Sequence, residues 1–183
     1  MNDSDAQATL LLEEARRFFE KSVQSSAGSE GQVAFLHAAI LLAFSSLEAH
    51  VNAVADEMAL RSGLGVLEKS VLLEQDYTLE KGEFKLADRL KMYRFEDRLS
   101  FLLANFSNPP IPVWTKESWW SGLKHGIDLR NRLVHPKSKV SIDIHAVEKA
   151  LAAIVACLDF LYQNIYRRPF PSAKRGINAS LTF

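Results

Sequence analysis

The sequence predicts an all-α protein, built as an up-down bundle of four to five main helices with an irregular excursion near residues 62–94. Apolar residues recur every three or four positions over several long stretches. Segments rich in Gly, Ser or Pro separate these stretches. The length of 183 residues, with 48% hydrophobic and 24% charged residues, suits one globular unit. We therefore expect a single helical domain over residues 1–166 and a flexible C-terminal tail over residues 167–183.

The first two helices are separated by a Ser- and Gly-rich segment at residues 25–31. The first helix precedes this segment, and the second and longest runs from about Gln32 to Arg61. The second helix carries an apolar stripe with alternating spacings of four and three, made of Ile40, Phe44, Leu47, Val51, Val54 and Met58. At about 100° per residue, Glu48 falls about 40° from Phe44 and hence inside the stripe. A carboxylate there needs a partner or a route to water.

Three further helices are expected after the excursion, in which Tyr77-Thr-Leu could be extended and Gly82 interrupts the pattern. One helix starts near Phe95 and ends before the proline-rich segment 108–112. The next follows Thr115 as a candidate N-cap and ends at His135, because the residue before a proline is disfavoured in the helical conformation. The last begins at Ser141 or Asp143 and keeps a four-three apolar repeat to Ile165.

Arg130 is the anomaly of the helix that ends at His135. With Leu123 set at 0°, Arg130 projects at about −20°, in the middle of the apolar arc, whereas Arg132 projects on the polar side. Two explanations remain open: a buried ion pair, with Glu48 as the acidic candidate, or a cleft or subunit interface into which Arg130 points. Both can hold, since a carboxylate commonly orients an arginine that binds a ligand.

Composition excludes several classes of function. Lys+Arg and Asp+Glu both total 22, so an RNA contact requires a local basic patch rather than an overall basic surface. The single Cys157 excludes an intramolecular disulfide and a multi-cysteine zinc site. We expect no metal and no cofactor, because the five histidines, including His50 and His125 on polar faces, show no ligand spacing. No signal peptide or apolar run of about 20 residues is apparent, so a cytoplasmic protein without a membrane partner is expected.

The sequence Arg130-Asn131-Arg-Leu-Val-His135-Pro136 resembles the Arg-x4–6-His motif of the HEPN superfamily. The resemblance covers about ten residues and the helical pattern of most of the chain. HEPN domains are small helical domains, many of them metal-independent ribonucleases and toxin-like RNases. The resemblance implies a homodimer that builds one composite cleft from two motifs and cleaves RNA. Arg130 would stabilise the phosphoryl charge, His135 would act as general acid or base, and Asn131 and Glu48 would support them.

Two other hypotheses stay open at this stage. A non-catalytic HEPN-like module would bind a nucleotide, RNA or a protein partner, and the zero net charge favours it. A purely structural interaction bundle would bury the Arg130–Glu48 pair and use His135 as a helix cap. The resemblance also suggests a toxin–antitoxin or defence context, with an antitoxin as a possible partner.

Overall fold

The computed structural model describes residues 3–183, with side chains from Asp5 onward, and it is mostly helical. This confirms the predicted helical class. Met1 and Asn2, the first residues of the predicted domain, lie outside the described residues. Within the described part are six α-helices and one two-stranded sheet: α1 (Asp3–Gln24), α2 (Glu30–Ala59), α3 (Val66–Leu73), β1 (Gln75–Glu80), β2 (Glu83–Leu90), α4 (Phe95–Phe106), α5 (Trp120–Val134) and α6 (Ile144–Tyr166).

The chain divides into two compact units. The first contains the residues up to Ala49 together with Thr115–Phe183, and the second contains His50–Trp114. Helix α2 contributes to both. All the residues singled out from the sequence as a candidate site belong to the first unit.

The core of the first unit is formed by α1, the first part of α2, α5 and α6. Its buried residues follow the predicted apolar repeats and include Leu12, Phe19, Ile40, Phe44, Leu47, Leu123, Val147, Leu151, Ile154 and Leu158. Gly126 of α5 permits a close approach of the helices. A Cβ atom there would lie 2.8 Å from Cβ of Ala150 and 3.0 Å from the ring of Phe44, closer than carbon atoms pack. Any larger residue would push α5 outward.

The C-terminal segment differs from the expected flexible tail, because it packs against α1 and α6. The ring of Phe170 is buried and lies 5.1 Å from the ring of Tyr162. A short 3-10 helix, Ala173–Arg175, follows, and the Arg175 guanidinium donates two hydrogen bonds of 2.7 and 2.8 Å to Glu13 of α1. The segment is polar and proline-containing, so its sequence alone does not reveal that an aromatic anchor and a buried carboxylate hold it.

The second unit replaces the expected irregular excursion with a helix and a β-hairpin. Strands β1 and β2 are antiparallel, with Tyr77 opposite Leu86 and Leu79 opposite Phe84. They are joined by a two-residue turn at Lys81 and Gly82, both with positive φ, of 52° and 88°. Such turns match the twist of a hairpin and favour glycine. The expected extended stretch near Tyr77 is thus present, and Gly82 marks a turn between two strands.

Arg98 of α4 holds the junction between α3 and strand β1 of the hairpin. Its guanidinium donates to the carbonyl of Leu72 at 2.9 Å and lies 3.0 Å from the carboxylate of Glu74. Both acceptors are at the junction of α3 and β1. The charged side chain is nearly buried, and these contacts engage both terminal nitrogens of its guanidinium.

Helix α2 is, by length and composition, apolar enough to cross a membrane, although the sequence was expected to contain no such run. Its most apolar 18-residue window is 44% buried in the fold. The core helix of a soluble protein has the same properties, so this single helix is weak evidence for a membrane span.

Candidate functional site

Helix α5 positions the predicted motif at its C-terminal end. The helix begins at Trp120 rather than directly after Thr115, because residues 115–119 form turns that place the amide of Trp120 3.0 Å from the carbonyl of Glu117. It ends at Val134, and the amide of His135 still donates to the carbonyl of Asn131 at 2.9 Å. The backbone of His135 then leaves the helical conformation, with φ −124° and ψ 64°. Pro136 prevents continuation, and the imidazole of His135 is exposed.

The guanidinium of Arg130 is held by two neighbours. Its Nη2 donates to Oε1 of Glu48 at 3.2 Å, and its Nη1 donates to Oδ1 of Asn131 at 3.1 Å. The ion pair foreseen between the two helices is therefore present. It is not buried, since the side chains of Arg130 and Glu48 are 33% and 48% exposed. The neighbouring Leu47 takes the inner position on α2, which leaves Glu48 at the edge of the apolar stripe.

Partial exposure limits the energy of the Arg130–Glu48 pair. Ion pairs reached by solvent stabilise a protein by about 0–1 kcal/mol. The pair thus contributes little to folding and mainly sets the direction of the guanidinium. A ligand anion could replace Glu48 at a small cost in stability.

An open cleft of about 1180 Å³ runs along the polar side of α5 and the segment that leads to α6. Its lining residues are His125, Asp128, Asn131, Arg132, His135, Lys137, Ser138, Lys139, Val140 and Ser141. The cleft therefore includes two of the predicted site residues, Asn131 and His135, but neither Arg130 nor Glu48. Asn131 connects the cleft to the Arg130–Glu48 pair, because it lines the cleft and also accepts the hydrogen bond from Arg130.

Three basic residues of this cleft were not singled out from the sequence. Arg132 was expected to be a solvated bystander, and Lys137 and Lys139 were not considered, yet all three line the cleft. Asp128 is the only acidic residue among those that line the cleft, so the cleft carries a net positive formal charge even with neutral histidines. The sequence did indicate a local basic patch, because Arg132, Lys137 and Lys139 lie within one stretch of eight residues around the end of the motif.

Two further histidines, His125 and His50, differ in their exposure. His125 is exposed and lines the cleft, and its Nδ1 lies 2.8 Å from the carbonyl of Ser121. A carbonyl only accepts, so Nδ1 carries the proton and Nε2 is the acceptor nitrogen of the neutral ring. His50, expected at the surface, is 1% exposed, so that expectation was wrong. Among the described residues no group of three or more His, Cys, Asp or Glu is arranged to hold a metal ion.

Cys157 does not belong to the candidate site. It lies in the core, on α6, and burial raises the pKa of its thiol well above the ordinary value. A thiol that stays protonated is a poor nucleophile.

Comparison of the chain with protein-family models, with curated proteins and with solved structures found no match.

Proposed function

We propose that the chain is a metal-independent endoribonuclease of HEPN type that cleaves RNA in a composite cleft of a homodimer. The proposal includes a single-domain up-down helical bundle, a cytoplasmic location and a role in a toxin–antitoxin or defence system, with an antitoxin as protein partner. One observation carries it: the helix end presents an exposed His135 on a basic cleft, and Asn131 links that cleft to a guanidinium oriented by Glu48.

The reaction is an internal transfer at phosphorus. A base removes the proton of the ribose 2′-OH, the 2′ oxygen forms a bond to the adjacent phosphorus, and the bond from phosphorus to the 5′ oxygen breaks. An acid then donates a proton to that leaving oxygen. The products are a 2′,3′-cyclic phosphate and a 5′-OH, and no metal or other co-reactant is required.

Histidine suits both proton transfers, because imidazole exchanges protons near neutral pH. One motif supplies one His135, so the base and the acid require two copies of the chain. A two-fold axis would place the two motifs around one substrate, since an isologous interface brings the same surface of each copy together. This need for a second histidine is the reason that the proposal includes a homodimer.

Arg130 supplies the positive charge that the transition state requires. Its planar fork of N–H groups matches two phosphoryl oxygens. The guanidinium is hydrogen-bonded to Glu48 and Asn131, and the side chains of Arg130 and Glu48 are partly exposed to solvent. A phosphate can therefore compete with the Glu48 carboxylate for the guanidinium. Asn131 could then hold the phosphate or the imidazole of His135 by its amide.

The test is cleavage of a labelled RNA in excess EDTA. We expect the wild type to release products with 2′,3′-cyclic phosphate ends, and Arg130→Ala or His135→Ala to lower the rate by about 10²-fold or more. His145→Ala is the matched control, because His145 is an exposed histidine at the start of α6 and lies outside the cleft. Equal cleavage by the wild type and both site variants would indicate a contaminating nuclease and refute the proposal.

The dimer requires its own measurement. Sedimentation equilibrium should give a homodimer, and mixed dimers of wild type and His135→Ala should be inactive, because they retain one of the two histidines. Full activity of a monomer would refute the composite cleft.

The alternative is a non-catalytic HEPN-like module that binds a nucleotide, RNA or a protein partner. The balance of 22 basic and 22 acidic residues favours it, since no overall basic surface gathers RNA. It predicts binding that saturates without turnover. The purely structural hypothesis required a buried Arg130–Glu48 pair, and the exposure of both side chains weighs against it.

A further inference from the structure

We propose that the cleft along α5 is a track for the backbone of single-stranded RNA, with Arg132, Lys137 and Lys139 as phosphate contacts. This inference rests on the proposed ribonuclease function and adds to it a substrate-holding surface beside the reacting groups. It arises from the meeting of the last turn of α5, which carries Arg132, with the following segment, which carries both lysines.

The charges of these three residues are available to a ligand. All three side chains belong to exposed residues, and none forms an ion pair with an acidic residue in the described part of the chain. By contrast, Arg16 and Arg175 of the same unit are both engaged by Glu13. Three unpaired cations around a concave surface attract anions more strongly than the same charges on a convex one, because the cleft walls focus their field.

The dimensions favour a strand over a small ligand. His125 and His135 line opposite ends of the α5 side of the cleft, ten residues apart, and at about 1.5 Å of rise per residue they are separated by about 15 Å along the helix. That span is longer than the distance between neighbouring phosphates of one strand, so the cleft can contact more than one phosphate. The volume of about 1180 Å³ also exceeds the range of roughly 300–1,000 Å³ that is common for small-molecule pockets.

The separation also assigns His125 a different role from His135. Histidines some 15 Å apart along a helix do not act on one phosphate, because proton transfer requires hydrogen-bond distance to the reacting oxygen. His125 therefore belongs to the track. It does not replace the second copy's His135 in the reaction.

The lining chemistry points to recognition of the backbone without recognition of the bases. None of the described residues that line the cleft is Phe, Tyr or Trp, so the cleft offers no aromatic platform on which bases could stack. The side chains of Asn131, Ser138 and Ser141 add hydrogen-bonding groups that suit phosphate oxygens or the 2′ position. Oligo-A and oligo-U should therefore bind with affinities within a few-fold of each other.

The experiment measures binding without cleavage. The probe is a fluorescein-labelled, fully 2′-O-methylated oligoribonucleotide of eight residues, which lacks the nucleophile, and anisotropy is followed from about 50 to 200 mM salt. The test variant is Arg132→Gln/Lys137→Gln/Lys139→Gln. Each lost phosphate contact should lower the slope of log affinity against log salt by about 0.7, so the triple variant should lose about 2 in slope and at least tenfold in affinity.

The matched control removes one arginine and two lysines elsewhere. Lys81→Gln/Arg94→Gln/Lys116→Gln changes the net charge equally, at exposed positions outside the cleft. It should keep the wild-type slope and an affinity within about twofold. Thermal unfolding verifies that both variants fold, and Lys137→Gln/Lys139→Gln, confined to the segment between α5 and α6, gives a second test with an expected loss of about 1.4 in slope.

The outcomes separate this inference from the proposed function. Equal salt slopes for the two triple variants would overturn the track even if the protein cleaves RNA. Suppose that only the cleft variant lowers the salt slope, and that Arg130→Ala and His135→Ala still cleave RNA. The ribonuclease assignment would then be refuted, whereas the role of the cleft in RNA binding would be supported.

Discussion

Replacing Glu13 by Gln should strongly destabilise the first unit. The Glu13 carboxylate of α1 accepts hydrogen bonds from Arg16 at 2.6 Å, from Arg175 at 2.7 and 2.8 Å, and from the amide and hydroxyl of Ser180 at 2.8 and 2.5 Å. Its side chain is 7% exposed and that of Arg16 is 0% exposed. Glutamine has nearly the same shape, so the change tests the charge and the acceptor oxygens.

The magnitude follows from what the change leaves behind. Removing one partner of a buried ion pair costs about 3–5 kcal/mol, because the other charge stays desolvated. Arg16 would retain the carbonyl of Ser172, at 3.2 Å, as acceptor. Arg175 is 39% exposed and can regain water, which offsets part of the loss. We therefore expect the lower end, a decrease of about 3 kcal/mol in the free energy of unfolding.

Urea unfolding measures this decrease. With an m-value of about 2 kcal/mol per molar, the midpoint should fall by about 1.5 M. Glu14→Gln is the matched control on the same helix, since Glu14 makes no hydrogen bond or ion pair among the described residues and should change stability by less than about 0.5 kcal/mol. Removing residues 173–183 takes away two of the partners, so Glu13→Gln should cost less in that shortened chain. Equal midpoints for the two glutamine variants would refute the assigned network.

The same carboxylate gives a pH dependence. Burial by itself raises the pKa of Glu13, but the hydrogen bonds from Ser180, Arg175 and Arg16 outweigh it and hold the pKa below the ordinary value of 4.5. A folded-state pKa below the unfolded one means that the stabilisation is present above pH 4.5 and is lost as the pH falls through the lowered value. The stability difference between the wild type and Glu13→Gln should therefore shrink in urea titrations at successive pH values below 4.5, and a constant difference would contradict this assignment.

Three further experiments have defined outcomes. A double-mutant cycle on Arg130→Ala and Glu48→Ala should give a coupling below about 1 kcal/mol by urea unfolding, and a value above that range would indicate a buried pair. Gly126→Ala should destabilise the protein by about 1–3 kcal/mol, because the added methyl group overlaps α6 and α2. Gly31→Ala is the control and should be neutral or stabilising, because a Cβ atom there lies 4.0 Å from its nearest neighbour. Equal shifts of the unfolding temperature in the two variants would refute the overlap. Cys157, 1% exposed and with a raised thiol pKa, should react with an aromatic disulfide reagent in urea but not in the folded protein, and rapid labelling of the folded protein would contradict its burial.

Several helix bounds were predictable from local sequence. Helix α4 spans Phe95–Phe106 as its apolar spacing and the following prolines indicated. Helix α6 begins after Asp143, whose carboxylate accepts from the amide of Ala146 at 3.0 Å. Both depend on residues within a few positions of each other, and capping and periodicity report such contacts directly.

The hairpin and the C-terminal segment were not predictable by the same means. Strands β1 and β2 are short, mostly exposed and charged, so their apolar alternation is weak. The docking of Arg175 depends on Glu13, which is 162 positions away in the chain. Sequence patterns carry no information about such a distant partner without knowledge of the packing.

The sequence by itself determined the helical class and the placement of Arg130, Asn131 and His135 at the end of one helix, because periodicity and Pro136 act locally. It also indicated that Arg130 needs an acidic neighbour, since the apolar arc around it is visible in one helix. Only the tertiary structure decided that the pair with Glu48 is half-exposed and that Asn131 and His135 open onto a cleft with Arg132, Lys137 and Lys139. The physical reason is that solvent access and cleft shape depend on how α2, α5 and the segment before α6 pack, and a single helix does not specify its neighbours.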